Sequence, residues 1–213
     1  MKKLILINCL LLVTVIYARA QQGEFPKLTG PYLGQKPPGM TPMIFAPGII
    51  SMGYFERSVV FSPNYDELFF ELRCLGFTTV LMRMKQHNGK WSDPETAPFS
   101  GIPEYSDTYA FFTYDGRILF FNSRRPLSDS EETKKDSDIW MLRKNNDKWG
   151  VPIHAGNMLN SAFDDDYPTM SKSNNLYFSS IRDGNYDIYV SHFSEKGFTE
   201  PHRLDSVINT KNF

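Results

Sequence analysis

Cysteine is scarce in this sequence, and its scarcity excludes a fold held together by disulfides. The 213 residues contain two cysteines, Cys9 and Cys74. Cys9 lies in an N-terminal segment that we predict is removed, so Cys74 would have no partner within the remaining chain. Its flanks, "ELRCLGF", are apolar and predict a buried free thiol rather than a nucleophile. The protein must therefore depend on the burial of a hydrophobic core.

A hydrophobic run long enough to cross a membrane is also missing. Residues 1–20 begin with Lys2 and Lys3, continue with an apolar stretch over 4–17, and end in Ala-Arg-Ala. That order is typical of a cleavable signal peptide, and an apolar run of this length is shorter than the roughly 20 residues of a spanning helix. We predict a signal peptide over 1–20, export to the periplasm or the cell exterior, and no membrane span after cleavage. A retained membrane anchor and a lipid attached to Cys9 are the alternatives.

An excess of either charge is absent as well. Cleavage after residue 20 leaves 20 basic and 24 acidic residues, a net charge of −4, with no long block of one sign. Nucleic acid and anionic lipid are therefore not expected partners. The chain has no Gly-x-Ser-x-Gly elbow, no glycine-rich phosphate loop and no His-x-x-x-His pair, and its histidines are scattered. We expect no cofactor and no metal. The four histidines are His87, His154, His192 and His202.

Sustained helical periodicity is absent, and a threefold repeat of strand-like runs takes its place. After a lead-in over 21–56 that is rich in proline and glycine, three units cover 57–101, 105–155 and 165–204, and 205–213 would begin another. Each unit has a strand, a polar turn such as "SPNYDE", "TYDGR" or "SKSNN", a second strand, a loop and a third strand. A hairpin that contains an aromatic residue follows.

The spacing of the aromatic residues in these hairpins gives the length of the repeat. Trp91 and Trp149 are 58 residues apart, and Trp149 and Phe198 are 49 apart. The insertion "PLSDSEETKKD" explains the longer interval, so the underlying period is close to 50, as in repeat architectures. We interpret Trp91, Trp149 and Phe198 as packing anchors at equivalent positions, rather than as a sugar-stacking set.

The second strand of each unit, "LFFEL", "ILFFNS" or "LYFSS", is apolar on both faces, which indicates a sheet packed between two others. Four-stranded antiparallel sheets stacked around an axis form a β-propeller, and propellers close with roughly 4–8 blades. We therefore predict an all-β fold with about three blades, which would be part of a truncated six-bladed propeller. The rival is a short chain that closes by pairing with a second copy.

The motifs "FSPNYDELFF", "TYDGRILFFNSR…SDIW…KWGVP" and "KSNNLYFSSIRDGNYDIYV…GFTEP" resemble the WD40-like β-propeller repeat of exported bacterial proteins of the TolB type. The resemblance covers residues 57–204. It departs from the pattern in the first unit, where Thr79-Val80 stands in place of Asp-Ile. The resemblance implies the propeller fold and an exported protein, but little about activity, because propellers host unrelated functions.

Charged residues near the ends of the strands supply the candidate sites. Arg124, Arg125 and Arg182 follow second strands, where they either bind a carboxylate or sulfate at one rim or bridge blades. Asp165, in the triplet Asp164-Asp165-Asp166, is a candidate ligand-binding residue. The triplet lacks an EF-hand pattern and is expected to cap the entry of the third unit rather than bind metal. Two further aspartates, Asp138 and Asp187, recur before Ile-aromatic and are expected to accept hydrogen bonds from turn amides.

The function that fits these observations is a non-catalytic, exported propeller that binds a protein, a peptide or a glycan at a rim or in the axial funnel. One alternative is an enzyme that acts on polysaccharide, which needs two carboxylates within about 5–10 Å of each other; Asp107 and Asp165 are the first candidates. A structural component of the cell envelope, with an exposed apolar rim and no concave pocket, is the other.

Overall fold

The computed structural model describes residues 28–73, 78–128 and 132–211. Regular structure in these ranges is almost entirely strand, with one short 3-10 turn at Pro103–Tyr105. No helix in the described residues has the length and hydrophobicity needed to cross a membrane. The predictions of a signal peptide over 1–20 and of a buried thiol at Cys74 concern residues outside these ranges.

The first sheet is antiparallel and occupies the first repeat unit. Its strands are β1 (Glu56–Phe61), β2 (Glu67–Arg73), β3 (Thr79–His87), β4 (Lys90–Trp91) and β5 (Glu95–Thr96). β1, β2 and β3 lie side by side, and the fourth position consists of the two short strands β4 and β5, which both pair with β3. The sheet therefore has four positions, and we call it blade 1.

The second sheet, blade 2, repeats this topology. It consists of β6 (Thr108–Phe112), β7 (Ile118–Ser123), β8 (Asp138–Asn145), β9 (Lys148–Trp149) and β10 (Ile153–His154). β9 and β10 share the fourth position beside β8. All six residues of β7 are buried, as expected for a sheet that is covered on both faces.

Blade 3 has the same order again. It consists of β11 (Asp165–Met170), β12 (Asn175–Ser180), β13 (Asp187–Ser194), β14 (Gly197–Phe198) and β15 (His202–Arg203). Its second strand β12 alternates between buried and more exposed residues, because only one of its faces packs against blade 2. The segment that follows forms a turn that folds back onto this blade through Asn209, whose side chain bonds both backbone groups of Ile188.

The blades stack face to face with a hydrophobic cluster in each interval. Phe69 of blade 1 and Phe121 of blade 2 belong to the cluster between the first two blades. Phe120 and Phe178 belong to the cluster between the second and third. Successive residues of one second strand thus fill opposite clusters, which is the reason these strands are apolar on both faces. The predicted all-β fold with about three four-stranded propeller blades is confirmed.

The lead-in covers the other face of blade 1, where a preceding blade would pack. Leu33 and Ile50 are buried against Leu68 and Phe70 of β2. The indole N–H of Trp91 donates to the carbonyl of Gly30 at 2.8 Å, which ties the lead-in to the outer hairpin. Residues 28–50 therefore act as a strap on the first sheet.

The hairpin aromatics occupy equivalent packing positions. Trp91 is buried beside the strap, and Trp149 packs on the cluster between blades 1 and 2. The Trp149 indole N–H also donates to the buried carboxylate of Glu67 at 3.0 Å, so it joins two blades. Phe198 lies 4.7 Å from Phe193, ring centroid to ring centroid, at the next interval.

Candidate functional site

Two of the predicted ligand-binding arginines are engaged inside their own blades. The Arg125 guanidinium donates to the Ser123 hydroxyl at 2.9 Å and to the Asp107 carboxylate at 2.8 Å. Arg125 is buried, and Asp107 has no exposed surface. Burial raises the pKa of the Asp107 carboxyl, although the Arg125 charge opposes that shift.

The same arrangement recurs in blade 3. The Arg182 guanidinium donates to the Ser180 hydroxyl at 2.9 Å and to the Asp165 carboxylate at 2.6 Å. Asp165 also accepts bonds from the backbone and the hydroxyl of Ser161. We call each Ser-Arg-Asp set a clasp. Both clasps fix the start of an innermost strand, and the partner of each arginine is an acid of its own blade.

Strand pairing identifies which of the two adjacent arginines in blade 2 is equivalent to Arg182. Ser123 pairs with the first residue of β8 and Ser180 with the first residue of β13, so the two serines are equivalent. The residue equivalent to Arg182 is therefore Arg125 and not Arg124. Asp107 and Asp165 are fully buried and bound by these arginines, which leaves neither carboxylate accessible to a polysaccharide.

The two aspartates that precede Ile-aromatic bind cationic or imidazole side chains, whereas turn amides were expected as their partners. Asp138 accepts a bond from Lys134 and lies 3.1 Å from the Nε2 atom of His154. Asp187 accepts a bond from the Arg203 Nε–H at 2.6 Å. Each pair ties the start of the third strand to the outer strand of the same blade. Asp138 and Asp187 are thus fasteners within a blade.

A β-bulge interrupts each innermost strand near its start. The pairing register shifts after Arg57 in β1, after Thr108 in β6 and after Asp166 in β11. The next residues, at positions 58, 109 and 167, have φ values of 55°, 51° and 57°. Left-handed backbone costs energy in residues other than glycine, and such strain often lies at functional sites. The three strained residues are Ser58, Tyr109 and Tyr167.

Buried side chains of one blade hold the bulge of the next. The Glu71 carboxylate in blade 1 accepts the Tyr109 N–H at 2.8 Å, and the Asn122 carbonyl oxygen in blade 2 accepts the Tyr167 N–H at 3.1 Å. Glu71 and Asn122 are equivalent, since each pairs with the residue before a bulge. By the same pairing, Ser179 is their counterpart in blade 3.

The two bulge tyrosines form a stacked pair. Their ring centroids are 3.9 Å apart at an interplanar angle of 32°, and their hydroxyl groups are 2.9 Å apart. Arg57 lies over the Tyr109 ring at 5.3 Å and bonds the Glu71 carboxylate at 2.7 Å. Tyr167 remains 52% exposed, so part of its surface is open to a ligand.

A cleft of about 560 Å³ lies around this stack, and all three blades contribute to its wall. It is polar, and its carbon-rich surfaces are tyrosine rings. None of the thirteen described residues at its wall is aliphatic. These residues are Arg57, Arg73, Thr79, Ser106, Thr108, Tyr109, Arg124, Ser137, Asp164, Asp166, Tyr167, Ser179 and Tyr186.

The cleft carries both signs of charge, separated by blade. Arginines come from blades 1 and 2, and the acids Asp164 and Asp166 come from blade 3. Burial is the largest cause that raises the pKa of the Asp166 carboxyl to about 6. The negative charges of Asp164 and Asp165 contribute to this shift, and Ser137 and Arg124 oppose it. Asp166 therefore changes charge close to neutral pH.

The three members of the aspartate triplet have different tasks. Asp165 forms the clasp with Arg182, whereas Asp164 accepts the Ser137 N–H at 2.8 Å and Asp166 faces the cleft. Within the described ranges no group of three or more His, Cys, Asp or Glu side chains could hold a metal ion.

Sequence reasoning placed Arg124 at a rim, and the structure places it in the cleft wall. It missed Tyr109 and Tyr167. A signal exists in the sequence, because an acid precedes each tyrosine by two positions, at Asp107 and at Asp165. The acid marks the clasp, and the bulge that follows directs the ring into the cleft.

The fold and this cleft define the chain as three consecutive β-propeller blades. No protein-family model matches the chain, and no curated protein matches its sequence. Solved structures that resemble it include TolB from Acinetobacter baumannii, 12% identical, with 68% of this chain and 31% of that chain covered at a TM-score of 0.45.

Two further solved structures show a comparable similarity. A predicted 6-phosphogluconolactonase from Bacteroides uniformis is 16% identical, with 70% and 41% of the two chains covered and a TM-score of 0.44. A predicted TolB from Agrobacterium tumefaciens is also 16% identical, with 68% and 47% covered and a TM-score of 0.45. The chain thus spans less than half the length of these proteins.

Proposed function

We propose that this chain is a non-catalytic, exported propeller module of the WD40-like, TolB-like type, and that it binds a glycan in the cleft around Tyr109 and Tyr167. The observation that carries the proposal is the composition of the cleft wall. Pyranose rings stack on aromatic faces, and planar Arg, Asp and Ser groups suit the hydroxyl groups around the ring. Export rests on residues 1–20 of the sequence.

The cleft favours a glycan over the other ligands that the sequence leaves open. Protein and peptide sites are built around buried apolar or aromatic anchors in fitted pockets. The described residues of this wall include no aliphatic side chain that could form such a pocket. The two stacked tyrosines instead offer an aromatic ring face that is surrounded by polar side chains. A purely structural role does not require such a concave polar surface.

A screen of the mature protein against an array of neutral and charged oligosaccharides tests the proposal. We expect binding to at least one class, and a loss of that binding in Tyr167→Ala. Tyr114→Ala is the matched control, because Tyr114 is similarly exposed and borders a different cavity with Lys172. Binding of proteins or peptides in pull-down experiments, with no signal on the array, would contradict the proposal.

Asp166 is the observation that favours a second candidate, hydrolysis of a polysaccharide. A carboxyl group with its pKa raised to about 6, beside the second acid Asp164, has the property of a general acid. Release of reducing ends from a bound glycan, abolished in Asp166→Asn, would replace the binding-module proposal. Binding without turnover would exclude hydrolysis of that glycan.

A further inference from the structure

We propose that the glycan accepted by the cleft is anionic, a chain of uronic acid residues whose carboxylate binds Arg124 while a sugar ring stacks on Tyr167. This inference rests on the proposed function and names its ligand class. It follows from the difference between the arginines that border or adjoin the cleft.

Arg124 has a fixed backbone and an available guanidinium group. Its N–H donates to the carbonyl of Tyr105 at 2.7 Å, and its own carbonyl accepts the Lys134 N–H at 2.8 Å. The side chain is exposed and borders the cleft. None of the ion pairs among the described residues involves Arg124. A carboxylate can therefore bind both donor edges of its planar group.

The neighbouring arginines already have partners, and Arg73, which also borders the cleft, lies over the Phe55 ring at 5.5 Å. Arg57 bonds Glu71 and lies on the Tyr109 ring, so it belongs to the platform below the ligand. Arg125, one residue after Arg124, is buried against Asp107 in the clasp. Two adjacent arginines thus perform different tasks, the second within the blade and the first toward the cleft.

Asp166 competes with an anionic ligand for the charge of Arg124. The groups that act on the Asp166 carboxyl include Ser137, Asp164, Asp165, Arg124 and Tyr186, and the other charged groups of the cleft wall are Arg57 and Arg73. When Asp166 takes up a proton, Arg124 loses that negative neighbour and is free for a ligand carboxylate. A uronate stays ionised at pH 5, since ordinary carboxyl groups titrate at about 4. Binding of the anionic chain should therefore tighten from pH 7.5 to pH 5.0, in spite of the two acids on the wall.

Titration calorimetry with defined oligosaccharides tests the inference. The probes are oligogalacturonate and oligomannuronate, their methyl esters, and a neutral β-glucan oligosaccharide. We expect at least one free acid to bind about tenfold or more tightly than its ester, the size of a charge-assisted bond. Arg124→Gln should remove this preference, so that the free acid and its ester bind with about equal affinity. Arg117→Gln is the control, because Arg117 is 84% exposed and lies at another cavity.

The possible outcomes distinguish a failure of the uronate inference from a failure of the glycan-binding proposal. Equal binding of acids and esters, or binding of the neutral glucan alone, overturns the uronate inference and leaves glycan binding intact. No binding of any oligosaccharide overturns both. An acid preference that survives in Arg124→Gln overturns the role of this arginine. The tightening at pH 5.0 should disappear in Asp166→Asn, and its persistence there would contradict the competition with Asp166.

Discussion

The buried carboxylate of Glu71 in blade 1 accepts the backbone N–H of Tyr109 in blade 2 at 2.8 Å. Its other oxygen binds Arg57 at 2.7 Å. One side chain thus satisfies a strained bulge in the next blade and positions the cation that lies over the Tyr109 ring. The contacts that join blade 1 to blade 2 therefore also form the floor of the cleft.

Truncation of Glu71 should therefore weaken both stability and ligand binding. Glu71→Ala leaves the Tyr109 amide without its acceptor, and we expect a loss of about 2–4 kcal/mol in the free energy of unfolding. Urea denaturation of the mature protein measures it. Glu95→Ala is the control, since Glu95 forms an exposed pair with Arg83 that is worth about 1 kcal/mol or less. Equal effects of the two variants would show that the contact between blades contributes little.

Ser58 offers a direct measure of the strain at the bulges. Its φ is 55°, its side chain is exposed, and glycine adopts this backbone region without a steric penalty. Ser58→Gly should stabilise the protein by about 0.5–1 kcal/mol, and Ser58→Val should destabilise it by at least as much. Thermal unfolding of both variants checks the signs. A destabilising Ser58→Gly would mean that the bulge is not strained in solution.

The fold could be predicted because its cause is periodic in the sequence. The spacing of Trp91, Trp149 and Phe198 follows from one hairpin per blade, and the apolar second strands follow from burial on both faces. Both patterns result from packing that recurs in every blade, so the repeat remains recognisable in spite of the insertion between β7 and β8.

The candidate site was less predictable, since it depends on register. Two adjacent arginines follow Ser123, and composition alone does not tell Arg125 in the clasp from Arg124 in the cleft. Strict alternation of inward and outward side chains along an innermost strand also gives the wrong side for Tyr109 and Tyr167. The bulge adds one residue at these positions and so changes the direction of the tyrosine side chains. Only the pairing of the strands resolves both questions.

The clasps should matter for stability and not for the ligand. Arg182→Met leaves the buried carboxylate of Asp165 without its cation, and we expect a loss of about 3–5 kcal/mol in the free energy of unfolding. Urea denaturation measures it. The double variant Arg182→Met with Asp165→Leu should recover much of the loss, because no buried charge then remains. A variant that keeps its stability but loses glycan binding would instead place Arg182 at the ligand.

Asp166 should make the stability depend on pH in a direction opposite to that of a salt-bridged acid. Its pKa is about 6 in the folded protein, above the ordinary value of 3.8. Between these values the folded chain holds a proton that the unfolded chain has lost, so stability should rise as the pH falls from about 6 to about 4. Asp166→Asn removes this term, and at pH 7.5 it should stabilise the protein by about 1–2 kcal/mol after allowance for partial exposure.

Urea denaturation of the wild type and Asp166→Asn at pH 7.5 and pH 5.0 measures this contribution as the difference between the two variants. The difference should be largest at pH 7.5 and about half as large at pH 5.0, because pH 5.0 lies midway between the two pKa values. Asp205→Asn, at an exposed turn, serves as the control for the loss of one negative charge. If Asp166→Asn destabilises the protein at pH 7.5, then the attraction between the Asp166 carboxylate and the positive charge of Arg124 outweighs the cost of burying the carboxylate. That result would also weaken the competition on which the pH dependence of uronate binding rests.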